Sequence, residues 1–176
     1  MTAELRQPGP DDGVMGRVGR FANRDAWTAE MSCSIERALE LVGTRSAVIL
    51  MREAFLGAHR FEDLARHTGL SDALAAKRLK KLVEGGLLTQ RPYREPGSRT
   101  RMEYVLTDQG RAFFPVLVAM MRWGDQLENS TAPIELLHSG CGKRLDIAVK
   151  CAAGHVVSSE QTDATIRTRP KADSQP

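Results

Sequence analysis

Three absences narrow the possibilities before any motif is read. No apolar run approaches the roughly 18 residues that a membrane-crossing helix needs. The opening MTAELRQPGPDDG carries no apolar stretch of the secretory-leader kind. Cysteine is scarce: three in 176 residues, an odd number that suits a reducing cytoplasm better than a disulfide-stapled scaffold. Signatures of catalysis are missing as well. There is no phosphate-binding loop, no Gly-x-Ser-x-Gly and no His-Glu-x-x-His, and His59, His67, His138 and His155 pair with no evident nucleophile. The expectation is a protein that binds rather than turns over substrate, with no required cofactor.

What the chain does have is an uneven charge. The net charge is only +3, yet residues 44–106 hold twelve Arg/Lys against seven Asp/Glu. A local excess of this kind matters more for holding a polyanion than the global balance does.

The pattern of residues 64–106 gives that charge a shape. Gly69 supplies a turn after a short apolar-periodic segment over 61–67. Ser71 is placed to cap a second helix, in which Leu74, Arg78, Leu79 and Leu82 fall on or beside the packed face and Lys77, Lys80 and Lys81 point away from it. Gly85-Gly86 stops it. Two strand-like runs, 87–93 and 102–106, flank an Arg-rich turn containing Pro96 and Gly97. Helix, turn, basic helix and basic hairpin in this order predict a mostly α fold with a small β-hairpin wing: a winged helix-turn-helix that meets double-stranded DNA.

Upstream, Ser32 or Ser34 can cap a helix carrying Ile35, Leu39 and Val42 at i, i+4 and i+7. Thr44 caps the next helix, over 45–54, whose nearly continuous apolar content predicts the buried centre. Downstream, Thr107 caps a long helix with a broad stripe of Phe113, Leu117, Met120, Met121, Gly124 and Leu127, interrupted by Pro115. So wide a stripe exceeds what a small core covers and points to a partner interface. The expected organisation is a flexible arm (1–31), the winged helix with its dimerisation helices (32–130), a Cys/His-bearing hairpin (131–157) and a disordered tail (158–176).

Several stretches together resemble the HxlR-type bacterial transcription regulators. They are Cys33-Ser-Ile-Glu-Arg-Ala-Leu, Ile49-Leu50-Met51-Arg52-Glu53, Phe61-Glu62-Asp63-Leu64, Leu70-Ser71, Arg78-Leu79-Lys80-Lys81-Leu82, Gly86-Leu87-Leu88 and Tyr104-Val105-Leu106-Thr107-Asp108-Gln109-Gly110. They cover residues 33–128 in the family's order. The resemblance implies a cytoplasmic homodimer joined through its first and last helices, with two winged helices on a near-palindromic operator. It also implies that Cys33, at the start of the first helix, is a candidate oxidant or electrophile sensor.

Within that frame, Ser71, Asp72, Ala73, Ala76 and Lys77 are the expected groove-facing set. Lys77 suits guanine O6/N7 and Ala76 a thymine methyl. Lys80 and Lys81 suit phosphates. Arg78 lies close enough to the apolar face for its stem to pack. Arg94, Arg99 and Arg101 form the wing set, with Arg101 also able to pair with a carboxylate. The dimerisation set is Ile35, Leu39, Val42, Phe113, Leu117, Met120, Met121, Gly124 and Leu127. His138, Cys141, Cys151 and His155 have the donor chemistry for tetrahedral zinc, although Gly154 stands where a ribbon would have a cysteine. Without metal, a hairpin pairing 144–149 with 154–158 would pack its cysteines as small apolar residues. Two other readings remain open: a small-molecule effector lodged among Phe113, Phe114, Met120, Met121 and Trp123, and a protein-binding winged helix without DNA contact.

Overall fold

The computed structural model describes residues 14–27, 33–97, 99–127 and 133–166. In chain order the elements are β1 (Gly16–Arg17), α1 (Ser34–Val42), α2 (Arg45–Phe55), α3 (Phe61–Thr68), α4 (Asp72–Glu84), β2 (Leu88–Tyr93), β3 (Arg101–Leu106), α5 (Asp108–Ala112), α6 (Phe114–Leu127) and β4 (Asp163–Ala164). They divide between two compact units. One is Cys33–Ile147; the other combines the described residues before Ser32 with those from Ala148 onward.

The larger unit is built around α2. Thr44 Oγ1 accepts the Ala47 N–H at 3.2 Å and starts the helix. Ala47, Leu50, Met51 and Ala54 are then buried on its inner face, packed with Leu64 of α3, Leu79 and Leu82 of α4, and Leu87 and Leu88. Gly69 takes φ 65° between α3 and α4, a left-handed turn that side chains resist. Ser71 Oγ accepts the Leu74 N–H and caps α4. Ala75, Leu79 and Leu82, at i, i+4 and i+7, turn α4's apolar face inward. β2 and β3 pair antiparallel, from Leu88 opposite Leu106 to Tyr93 opposite Arg101. The Tyr104 N–H donates to the His59 carbonyl at 2.7 Å and ties the hairpin to the α2–α3 loop.

The long helix expected after Thr107 is two. Thr107 caps α5 through Gly110 N–H at 2.9 Å. The chain then breaks at Phe113, because Pro115 has no N–H to continue the ladder and is tolerated only in the first turn of a new helix, α6. One face of α6 is internal. Leu117 and Val118 are buried, and Phe114 stacks on Phe55 with ring centroids 5.5 Å apart. Ile134 and Leu136 of the following segment close over Leu117 and Met121. Arg144 pairs with Asp125 of α6 at 2.5 Å and with Glu135 at 3.3 Å, while Arg122 faces Asp146 at 3.5 Å. Residues 133–147 therefore form a strap bound to α6.

Within the smaller unit, the described parts of the expected flexible arm and disordered tail, residues 14–27 and 158–166, carry regular structure; the remainder of both lies outside the described residues. β1 and β4 pair in parallel, Gly16 with Asp163 and Arg17 with Ala164. Two 3₁₀ turns follow β1, and Phe21 packs against Trp27 at 6.0 Å. The expected hairpin is also differently registered. Arg144 bridges to Leu137, and Lys150 to Val156.

Candidate nucleic-acid interface

α4 presents its polar face to solvent. Ser71, Asp72, Ala73, Ala76, Lys77, Lys80 and Lys81 are all exposed, and the small side chains of Ala73 and Ala76 leave room for close approach. Among the described residues, Lys77 and Lys81 have no hydrogen-bond or ion-pair partner, so their ammonium groups remain available to phosphate or base edges. Lys80 lies 3.7 Å from Glu84 one turn on, a solvent-exposed pair of small energetic weight. Arg78 is half-buried. Its Nε donates to Ser46 Oγ at 3.0 Å, which anchors the recognition helix to α2 and draws this arginine away from the outer face.

The wing is braced from behind. Arg60 caps the face of Tyr93 at 5.1 Å and pairs with Glu95 at 2.5 Å. The hydrogen bond and charge of Glu95 raise the Arg60 guanidinium's pKa above its usual value. Arg91 pairs with Glu103 across the hairpin at 2.7 Å. The turn carries Gly97 at φ 78°. Of the three arginines expected to reach outward, Arg101 is drawn towards Glu62 of α3 at 3.3 Å, and Arg94 is engaged within the chain. Arg99 is the one without an intrachain partner among the described residues. The bracing pair Arg60–Glu95 was missed in the sequence; its signal was a Tyr/Glu-bearing strand end facing the start of α3, legible only once strand register is known.

The expected dimerisation set divides between two surfaces. Ile35 and Leu39 are 68% and 57% exposed, although α1 is strongly amphipathic, and Met120 is 45% exposed. These three, with Val42 and Phe113, line an open apolar groove of about 520 Å³ between α1 and the α5–α6 pair. Val116 belongs to the groove and was missed. Leu117 does not belong: at 3% exposure it is part of the protomer's own interior. Met121 is likewise turned under the strap with Phe114, while Gly124, Leu127 and Trp123 face outward on α6. The aromatic and Met residues named for an effector pocket are thus split, Phe113 and Met120 on the groove, Phe114 and Met121 beneath the strap.

Cys33 is half-buried just before α1. The charged group capping that end is Glu36, whose Oε2 accepts the Cys33 N–H at 3.2 Å, while Arg37 donates to Ser34 Oγ at 3.0 Å. The zinc-type donors stand in two pairs, one in each compact unit: His138 Nδ1 is 3.2 Å from Cys141 Sγ, and Cys151 Sγ is 3.6 Å from His155 Nδ1. Among the described residues, no three or more His, Cys, Asp or Glu side chains cluster to hold a metal ion. No helix among them is long and apolar enough to cross a membrane.

The model of the HxlR-like helix-turn-helix family matches residues 41–132. An uncharacterised HTH-type transcriptional regulator of Mycobacterium tuberculosis strain H37Rv is 42% identical over 120 residues, covering 67% of this chain and 75% of the relative. Another from Synechocystis sp. PCC 6803 is 33% identical over 107 residues, covering 60% of this chain and 78% of the relative. The crystal structure of PA1607, titled a transcription factor, matches at TM-score 0.67 and 31% identity, covering 82% of this chain and 97% of that one. A second transcription-factor structure, from Pseudomonas aeruginosa, matches at TM-score 0.56 and 31% identity, covering 81% of this chain and 96% of that one. The structural likeness thus extends past the residues matched by the family model.

Proposed function

Because the chain belongs to the HxlR-like helix-turn-helix family, and is a transcription regulator of that type, we propose that it acts as a homodimer that grips an inverted-repeat operator and represses the adjoining gene. The observation that carries this reading is the outer face of α4: a capped helix with small residues in its first turns and two lysines, Lys77 and Lys81, without partners among the described residues. Its chemistry is binding, as for its relatives, which are transcription regulators and not enzymes. The first turns of α4 read base edges, and Lys80, Lys81 and Arg99 take phosphates. Dimerisation is supported by the exposed apolar side chains of α1 and α6, which a second copy related by two-fold symmetry would cover. Two recognition helices then meet half-sites about 34 Å apart. Bound across a promoter, such a dimer blocks the polymerase.

Footprinting on the protein's own promoter, with a salt titration, tests the reading. Protection of an inverted repeat, with affinity falling steeply as salt rises, is expected. Protection of a single half-site by a monomer, or no protection at all, overturns it. The groove supports one further reading: its apolar lining suits a small hydrophobic effector that enters between α1 and α6 and alters the dimer angle.

A further inference from the structure

A two-stranded hairpin is marginal on its own in water, so the wing needs other parts of the chain to hold it. Its base is fixed by the core: Leu88 is buried, and Leu106 opposite it packs against the same cluster. Beyond that base, one short run of chain, residues 59–62, takes hold. Arg60 reaches Glu95 and Tyr93, and Glu62 reaches Arg101, but these contacts are made by half-exposed side chains and contribute little energy each. His59 holds differently. Both main-chain polar groups of Tyr104 face away from β2, as the N–H and C=O of one residue in an antiparallel strand do together. The N–H donates to the His59 carbonyl at 2.7 Å, and the carbonyl oxygen lies 3.2 Å from His59 Nδ1. A carbonyl can only accept, so Nδ1 carries the proton and donates. One residue thus serves β3 in place of a third strand, its ring supplying the bond that a main-chain N–H would otherwise make.

Tyr104 sits between the core-bound base at Leu106 and the start of β3 at Arg101, so the grip on it sets the direction in which the tip leaves the core. The tip carries Arg99, the wing arginine without an intrachain partner among the described residues. We propose that His59 is the positioning residue of the wing: its Nδ1–H bond to the Tyr104 carbonyl fixes the direction of the hairpin, and through it the reach of Arg99 to phosphate. This rests on the DNA-binding reading given above, and in it His59 acts through the hairpin. The role asks only for a donor at the place of Nδ1; Nε2 takes no part in the bond. Asparagine meets that requirement, because its amide nitrogen is as far from Cβ as Nδ1 is. Glutamine sets its amide one carbon further out, and alanine has no donor. Losing the net contribution of one hydrogen bond lowers the share of chains with the wing in place by up to about fivefold.

The test compares H59N, H59Q and H59A in the full chain. The side chain is exposed, so all three should fold, and far-ultraviolet circular dichroism checks this. Hydrogen exchange at the amides of β2 and β3 is read first, without DNA. H59Q and H59A should speed exchange in the hairpin by up to about fivefold and leave α2 and α4 unchanged, while H59N should exchange as wild type does. Binding is then followed by fluorescence anisotropy on a mixed-sequence duplex over a range of salt, because phosphate contacts do not depend on sequence. H59Q should weaken binding by up to about fivefold and lower the salt slope by up to about one, towards that of R99A. H59N should restore both. The double variant H59Q/R99A should bind no more weakly than R99A alone, since both changes act on one contact. Wild-type exchange or wild-type binding in H59Q overturns the proposal. So do H59N as weak as H59A, R99A of wild-type affinity, and losses from H59Q and R99A that simply add. A wild type without salt-dependent affinity for the duplex instead removes the DNA-binding reading itself, and the role of His59 with it.

Discussion

The two faces of α6 make opposite predictions for neighbouring residues. Met120 lies on the open groove and is 45% exposed in the protomer, whereas Leu117, one turn earlier, is 3% exposed. In Met120→Asp the protomer itself should lose no more than about 0.5 kcal/mol, the usual scale for a surface change. In a two-fold dimer the new carboxylate is buried twice. At about 2 kcal/mol for each unpaired buried polar group, the association loses about 4 kcal/mol, or roughly a thousandfold in Kd. Leu117→Ala instead leaves a hole in the interior and should cost about 2–5 kcal/mol of fold stability, lowering Tm by roughly 10 °C or more. Sedimentation velocity across a concentration series and thermal unfolding separate the two. Met120→Asp should sediment as a monomer at micromolar concentration, its Tm no longer depending on concentration, and it should fail to shift operator DNA although α4 is untouched. Leu117→Ala should remain dimeric but melt early. A dimeric Met120→Asp of wild-type DNA affinity, or a monomeric Leu117→Ala of wild-type Tm, would refute the assignment of faces.

Other consequences concern the DNA side and the corner that joins it to α6. Lys77→Ala should weaken operator binding by about 1–3 kcal/mol and relax one base position in a selection experiment, while Lys81→Ala should weaken all sequences alike and lower the salt slope by roughly one. Glu62→Ala frees Arg101 and removes a negative charge beside the wing; stability should change by under about 1 kcal/mol, but DNA binding should tighten and its salt slope steepen by roughly one. If mobility shifts show no change, Arg101 does not face phosphate. Gly110→Ala places a Cβ 2.0 Å from the Leu87 carbonyl oxygen, a clash of backbone with side chain that should lower Tm clearly and loosen α6 from the wing; an unaltered melting curve would show that α5 can shift at little cost.

The winged helix was legible from the sequence because its signals are local. Ser71, Gly69 and Gly86 mark ends that depend on neighbours three or four residues away, and the structure keeps them. Thr44 and Thr107 cap as their positions suggest. What escaped depends on contacts distant in sequence. The α6 stripe looked like one surface because periodicity reports which residues are apolar, not what covers them; Ile134 and Leu136 cover one side of it. Arg101 and Arg78 count equally in a tally of positive charge, yet Glu62 and Ser46, thirty or more residues away along the chain, determine where they point. The parallel pairing of β1 with β4 joins opposite ends of the chain through two short, polar segments with no strand signal of their own.

Thr107 explains how a binding event on α6 can be felt by α4. Its hydroxyl donates to the Gly86 carbonyl at 2.5 Å and accepts the Gly110 N–H at 2.9 Å, so one side chain joins the end of the recognition helix's exit turn to the start of α5. The Thr107 N–H adds a bond to the Leu87 carbonyl at 3.2 Å, the same oxygen that leaves no room for a side chain on Gly110. Bonded on both sides and close-packed, this corner has little freedom to bend, because interiors at crystal-like density respond by moving as blocks rather than by deforming. Were a second copy to dock on the α1–α6 groove, as proposed, a change in angle there would be passed to α4 as rotation of the whole winged helix. The lever is long compared with the reach of a hydrogen bond, which weakens within a few tenths of an ångström. In the proposed dimer, a rotation of a few degrees would then suffice to separate the operator-bound form from a released one, without any rearrangement inside the DNA-binding unit.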